Sequence, residues 1–470
     1  MKITFNGASG EVTGSCYLLE TARAKVLIDF GQHQGERGSR EKNEQPTPFD
    51  PGTLDAVVAT HAHIDHIGLM PRLTSRGFDG PVYATPATID LAEIMLHDAA
   101  RLQEADAARD QRRAPRFGRE PMRPLFTEED VKRFLPHFRP MQTGQWVQVA
   151  DGVRVKPFDS GHILGSVSLE VQVTDGGSTQ TIVFSGDIGP SGVPLLHDPT
   201  PPVTEKPADF VVMESTYGDR DHRPIDATLD EAEKVLHDAI WNKSKVLIPA
   251  FAVGRTQLVL YYLAKLARSG RVPRFPIYLD SPMAVSAMKL YAKYASTLDA
   301  QASEVVTQGD SSFDVPGLTC TESAEQSKAL NDIQGAAVII AGSGMCNGGR
   351  ILHHLKHNVW KRDCHVLIIG YQAEGTIGRD LVERRDSIRI FGDDIIVRAK
   401  IHTLGGFSAH AGRSDLLKWA GTLAPTPGKQ WPRMALTHGE DTARQSLATE
   451  MNRLWNFTPT LPREGDSIEL

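Results

Sequence analysis

The sequence predicts an α/β protein built from more than one domain, and three observations carry that reading. The first ~200 residues are rich in short strand patterns joined by Gly-containing turns, which suggests sheets packed on each other. From about residue 205 near-continuous apolar strands alternate with helical patterns, the mark of a parallel sheet covered on both faces. The last ~75 residues return to strand signals.

Strand patterns in the first part fall at 2–6, 15–20, 25–30, 54–60, 153–158, 166–173 and 180–185. Apolar periodicity of the helical kind marks 67–76, 86–113 and 127–138. In the second part the strands expected at 246–249, 276–280, 336–341 and 365–370 each precede a helix, starting near Arg255, Met283, Gly349 and Gly378. The last part reads as strands at 388–391, 395–401 and 432–437, with helices at 413–422 and 440–456. The segment 101–123 holds seven Arg against four acids and three Pro or Gly breakers, and reads as a helix running into a solvated surface loop rather than an RNA clamp.

A chain of 470 residues, 40% hydrophobic and 23% charged, has apolar material for two or three cores. The net charge of −7 argues against indiscriminate nucleic-acid binding, though a local basic groove would suffice for a specific one. Cys16, Cys320, Cys346 and Cys364 form no C-x-x-C pair, which fits a reducing cytoplasm better than a disulfide framework. The first residues lack a signal-peptide core, and no apolar run approaches the ~18 residues of a membrane span. A cytoplasmic protein without a membrane partner is expected.

The stretch His61-Ala-His63-Ile-Asp65-His66 gathers four metal-competent side chains on a strand-to-helix turn. Imidazole and carboxylate suit zinc and similar divalent ions, and four such groups are too many for one ion that must keep an open position. Two ions are the natural reading. Asp29 ends an apolar strand beside Gly31, where a carboxylate is well placed to orient a metal-bound His; a turn-forming Asp has the same pattern. His162, in Asp159-Ser-Gly-His-Ile-Leu-Gly-Ser166, and Asp187, in Val183-Phe-Ser-Gly-Asp-Ile-Gly189, lie in Gly-flanked loops at strand ends. They complete a ligand inventory that includes one carboxylate able to bridge.

Taken in order, Asp29, His61-x-His63-x-Asp65-His66, His162 and Asp187 resemble the four signature motifs of the metallo-β-lactamase fold, an αββα sandwich with a two-metal site at its edge. Glu214 in Val211-Val-Met-Glu-Ser-Thr-Tyr-Gly218, His410 in Gly406-Phe-Ser-Ala-His-Ala411 and His438 in Leu436-Thr-His-Gly-Glu440 resemble motifs A, B and C of the β-CASP nucleases. That group includes the endonuclease subunit of pre-mRNA 3′-end processing and its prokaryotic relatives. The likeness spans essentially the whole chain. It implies a metallo-β-lactamase domain in two parts, 1–204 and 393–470, with a β-CASP α/β domain, 205–392, inserted between them.

The resemblance implies a first ion held by His61, His63 and His162, a second held by Asp65, His66 and His438, and Asp187 bridging them. It implies two Zn²⁺ per chain, with Mn²⁺ the alternative. Asp65 would also position the attacking water, and His410, held by Glu214, would protonate the departing 3′ oxygen. A structural pair bracing the domain junction is the other reading of Glu214 and His410. In this family a motif C His goes with RNA, so His438 points to single-stranded RNA, cut to leave 5′-phosphate and 3′-hydroxyl ends.

Weaker expectations concern substrate contacts. Gly342-Ser343-Gly344 leads toward a helix opened by Arg350, and such a turn offers N–H groups to a phosphate. Its spacing does not fit a dinucleotide site. Ser408 is expected near the scissile phosphate, and Arg255 either near RNA or in a buried ion pair. His353, His354 and His357 read as a polar helix face, and His402 has no assigned role. A small-ester or thioester hydrolase on the same fold and a non-catalytic RNA-binding scaffold are the competing functions. Self-association into a homo-oligomer is left open.

Overall fold

The computed structural model describes all residues except 36–37, 119, 203–205, 307–312 and 426–429. Two sheets face each other in the first domain. One runs in the order Ser467–Glu469, Lys2–Phe5, Tyr17–Glu20, Lys25–Ile28, Ala56–Val58, Val82–Ala84 and Phe138–Pro140. The other runs Arg433–Thr437, Phe210–Glu214, Ser178–Phe184, Val167–Asp175, Val153–Asp159 and Val147–Ala150.

The period-2 alternation of each strand explains the layering. Val26 and Ile28 point into the core between the sheets, while Leu27 points the other way, into the core shared with the helix Pro86–Arg113. Phe184 and Val212 face the same inter-sheet core. Val183, Val211 and Met213 face outward, onto the helices Arg413–Gly421 and Asp441–Trp455. Helix, sheet, sheet and helix stack as αββα.

The second domain is built on six strands in the order Leu318–Cys320, Ile277–Asp280, Ala337–Ala341, Lys245–Pro249, His365–Ile368 and Lys400–Thr403, every neighbouring pair parallel. Both faces are buried: Val338 and Ile340 join the core of one face, Ile339 and Ala341 that of the other. This double burial explains why its strands read as unbroken apolar runs.

Strand membership departs from the expected domain limits. The limit at 204–205 lies outside the described residues. Phe210–Glu214, beyond it, belongs to the first domain, parallel to Ser178–Phe184 and Arg433–Thr437. The limit at 392 falls inside the hairpin of Ser387–Ile390 and Asp393–Ile396, and Lys400–Thr403 still pairs with the inserted sheet. Half-exposed edge positions at 400–403 gave the sequence no sign of which sheet the strand would join.

Three elements differ from expectation for local reasons. Pro71 splits the helix expected at 67–76 into Ile64–Ile67 and Pro71–Thr74, because it has no N–H to continue the ladder. The segment expected as one helix at 127–138 is a helix over Glu128–Phe134, a short turn at Pro136, and then the edge strand Phe138–Pro140. A helix not anticipated, Ile225–Trp241, buries Leu229, Ala232, Leu236 and Ala239 at helical spacing. The Arg-rich segment leaves the helix Pro86–Arg113 as an exposed turn in which Phe117 is 74% exposed. Among the described residues no helix is long and apolar enough to cross a membrane.

A candidate two-metal centre at the domain junction

The strand Ala56–Val58 delivers His61 and the turn beyond it delivers His63, Asp65 and His66. Gly31 makes the close packing of that turn feasible, since a Cβ there would collide with the Asp65 carbonyl oxygen. Asp29 and His438 both sit at strand ends in the left-handed region, at φ 58° and 48°. Such backbone is costly for residues with a side chain and is tolerated where the surroundings impose it.

Four ligand atoms converge at the first position. His63 Nδ1 lies 3.2 Å from His61 Nε2 and 3.0 Å from His162 Nε2. Asp187 Oδ2 lies 3.5 Å from His61 Nε2 and 3.4 Å from His162 Nε2. A tetrahedral zinc ion with bonds of about 2.0–2.1 Å has ligand-to-ligand edges of about 3.3 Å, so the cage has the size such an ion requires. At the second position His66 Nε2 is 3.3 Å from His438 Nε2 and 3.2 Å from Asp187 Oδ1, and His438 Nε2 is 3.6 Å from Asp65 Oδ2. Asp187 thus turns one oxygen to each group. Both of its oxygens are buried with no hydrogen-bond partner, a state a carboxylate does not keep without a cation. The donor set fits divalent metal at both positions.

The outward nitrogens are held. Asp29 Oδ2 is 2.7 Å from His66 Nδ1, and Asp29 itself accepts from the Thr60 N–H and hydroxyl. His162 Nδ1 lies 2.9 Å from the Ala409 carbonyl, His61 Nδ1 3.1 Å from Thr60 Oγ1, and His438 Nδ1 3.1 Å from Thr216 Oγ1. These contacts fix ring orientation and aim the opposite nitrogen inward. Thr60 and Thr216 were not anticipated. Each directly neighbours or closely follows a site residue, but hydroxyl residues are too common in such turns to be singled out.

The electrostatics divide the two groups. Burial drives the His61 and His162 imidazoles well below their usual range and that of His63 down to about 4, so these three imidazoles are neutral at pH 7. Burial disfavours charge on His66 as well, yet the Asp187 and Asp29 carboxylates together hold it well above the usual range. Burial alone would raise Asp187, but His438, His66 and His61 keep it well below an ordinary carboxylate.

His410 stands beside this cluster. Its Nδ1 is 3.3 Å from Glu214 Oε1 and 3.9 Å from Asp187 Oδ2, and its ring packs 4.5 Å from that of His162. Glu214 is locked by the N–H groups of Ile188, at 2.6 Å, and Thr216, at 3.2 Å. His222, also unanticipated, lies with Nε2 2.8 Å from the His410 carbonyl.

The cluster opens into a cleft of about 350 Å³ between the domains, lined in part by His63, Asp65, His410, Gly342, Ser343 and Arg255. Arg255 is buried, and its Nε and Nη1 have no hydrogen-bond partner. The buried ion pair considered for it is not formed among the described residues. Three other expected contacts point elsewhere. The Arg350 guanidinium binds Asp280 at 2.7 Å and the Glu322 carbonyl at 2.8 Å, because its helix sets it against the buried end of the neighbouring strand. Ser408 is buried, its Oγ accepting from the His410 N–H, and faces a small cavity behind His162 rather than the cleft. Gly344 packs under the Phe251 ring, and its carbonyl accepts from Gln372. His354 is fully buried against Asp280, at 2.7 Å, rather than part of an exposed polar face.

Comparison with known proteins agrees with this architecture. Residues 9–243 match the metallo-β-lactamase superfamily, 256–381 the β-CASP domain, and 394–456 a Zn-dependent metallo-hydrolase RNA specificity domain. The chain is 40% identical to ribonuclease TTHA0252 of Thermus thermophilus over the full length of both. It is 30% identical to transcription termination factor FttA of Thermococcus kodakarensis, covering all of this chain and 71% of that protein. A crystal structure of an Enterococcus faecalis protein of unknown function shares the fold, with a TM-score of 0.53 at 12% identity over 100% of this chain and 99% of that one. The chain belongs to the β-CASP family of the metallo-β-lactamase superfamily.

Proposed function

We propose that this protein is a ribonuclease that hydrolyses phosphodiester bonds within single-stranded RNA, using two divalent ions, zinc in the first instance. The observation that carries the reading is Asp187, one buried carboxylate offering an oxygen to each of two ligand groups, whose members His63, Asp65 and His438 line the inter-domain cleft. The match of 394–456 to an RNA specificity domain and the full-length likeness to a ribonuclease favour RNA over a small ester or thioester.

His61, His63 and His162 would hold one ion, Asp65, His66 and His438 the other, and Asp187 both. Ions bound there supply a water acidified toward neutrality and positive charge opposite the phosphoryl oxygens. The chain's own residues do the rest. Asp65 borders the cleft and orients the attacking water. Arg255, an unpaired cation on the cleft wall, takes a non-bridging phosphate oxygen by a charge-assisted hydrogen bond. With Nδ1 turned to Glu214, His410 presents Nε2 to the departing 3′ oxygen and protonates it. The products are a 5′-phosphate and a 3′-hydroxyl.

The test is a circular single-stranded RNA, which only an internal cut can open. Metal-loaded protein is expected to linearise it and leave 5′-phosphate ends. Turnover of thioesters with no action on linear or circular RNA would overturn the reading.

A further inference from the structure

Away from the metal ligands the cleft changes character. It runs between the helix Pro86–Arg113 and the start of the inserted domain's helix Pro282–Lys293. Its walls there are Met95, Leu102, Ile163, Phe251 and Met283, and Leu102 is 52% exposed. The Phe251 ring lies 6.2 Å from that of His63, so the apolar stretch begins directly beside a candidate metal ligand. Among the described lining residues, Arg255 is the one Lys or Arg, and Asp98 is the one carboxylate besides Asp65. A phosphate gains nothing from such walls. A nucleobase does, because an aromatic face and polarisable thioethers stack on any base.

Asp98 stands on the edge of this stretch. It is half-buried on the cleft side of its helix, and burial lifts its carboxyl above the ordinary range, only partly offset by Arg101. A carboxylate in an apolar wall needs N–H donors. Guanine alone carries two adjacent donors on its pairing edge, N1–H and the 2-amino group, which match the two carboxylate oxygens. In adenine and cytosine the donor neighbours an acceptor nitrogen, and in uracil it is flanked by carbonyls.

We propose that the part of the cleft walled by Met95, Leu102, Phe251 and Met283, with Asp98 on its edge, is a base-binding subsite that selects guanine next to the scissile phosphate. The inference rests on the ribonuclease reading above. The experiment is digestion of a random-sequence single-stranded RNA pool by the metal-loaded full chain, followed by sequencing of the cut ends. Guanine is expected about tenfold over adenine at one fixed position beside the cut, the discrimination typical of a bidentate contact. In Asp98→Ala and Asp98→Asn that ratio should fall toward one. The ratio is internal to each digest, so partial loss of folded protein does not move it. A flat base distribution from an active wild-type enzyme, or an unchanged ratio in Asp98→Ala, overturns the subsite and leaves the ribonuclease reading standing. No cleavage of any RNA overturns both.

Discussion

Asp29 and His66 stand 37 residues apart in the chain, yet their side chains meet at 2.7 Å. The carboxylate accepts a hydrogen bond from Nδ1–H, which turns Nε2 toward His438 and Asp187. Asp29→Ala removes that restraint without removing a ligand. Metal affinity at the second position is expected to fall about 10- to 100-fold, the usual effect of deleting such a partner, with a smaller loss at the first position, which Asp29 reaches only through Thr60 and His61. Metal titration of the variant, resolved into two binding steps, checks this.

Asp187→Ala is the more drastic change, because one side chain serves both groups. Metal content after reconstitution is expected to drop at both positions, and cleavage to vanish. Retention of two equivalents by elemental analysis would remove Asp187 from its shared role.

Proton linkage separates the two positions. The three imidazoles of the first group are already neutral at pH 7, since burial has lowered each of them. His66 has its protonated form favoured by Asp187 and Asp29, so a metal must displace that proton. Loading of the second position should therefore strengthen as pH rises through neutrality and release protons, while loading of the first changes little over the same range. Calorimetry in buffers of different ionisation enthalpy reads the proton count directly.

His410→Ala is expected to keep both metals and RNA affinity while slowing the single-turnover step by about 10²–10⁴-fold, as for loss of a general acid. Glu214→Gln should give a smaller defect in the same step. An unchanged rate in His410→Ala would remove that residue from the mechanism.

Arg255 predicts an exchange of function for stability. A buried guanidinium whose Nε and Nη1 lack partners costs the fold about 1–3 kcal/mol or more. Arg255→Met, which fills similar space without charge, should raise the unfolding midpoint and weaken RNA binding together. Differential scanning calorimetry and a binding isotherm on the same preparation test both halves.

Much of the candidate centre was legible because its ligands sit in short local patterns, such as His61 to His66, that announce themselves without a fold. The restraints around them were not, because Thr60, Thr216 and the Ala409 carbonyl act through contacts that chain order does not reveal. The inserted sheet was legible from its doubly buried strands. Its last strand, Lys400–Thr403, lies beyond the limit expected at 392, because an edge strand with a half-exposed face carries no directional hydrophobic signal. The helix Ile225–Trp241 carries a legible stripe, at Leu229, Ala232, Leu236 and Ala239, in helical spacing. Arg350 illustrates the opposite error: a cation after glycines suggests a phosphate, but the partner it finds is Asp280.

The strand Arg433–Thr437, which carries His438 at its end, seats itself beside Phe210–Glu214 after more than two hundred intervening residues. A polypeptide emerging from the ribosome folds from its N-terminal end. The residues of the first ligand group are therefore all made well before His438, the last member of the second. The second group is finished only when that strand arrives, so the shared site waits on a pairing between distant parts of the chain.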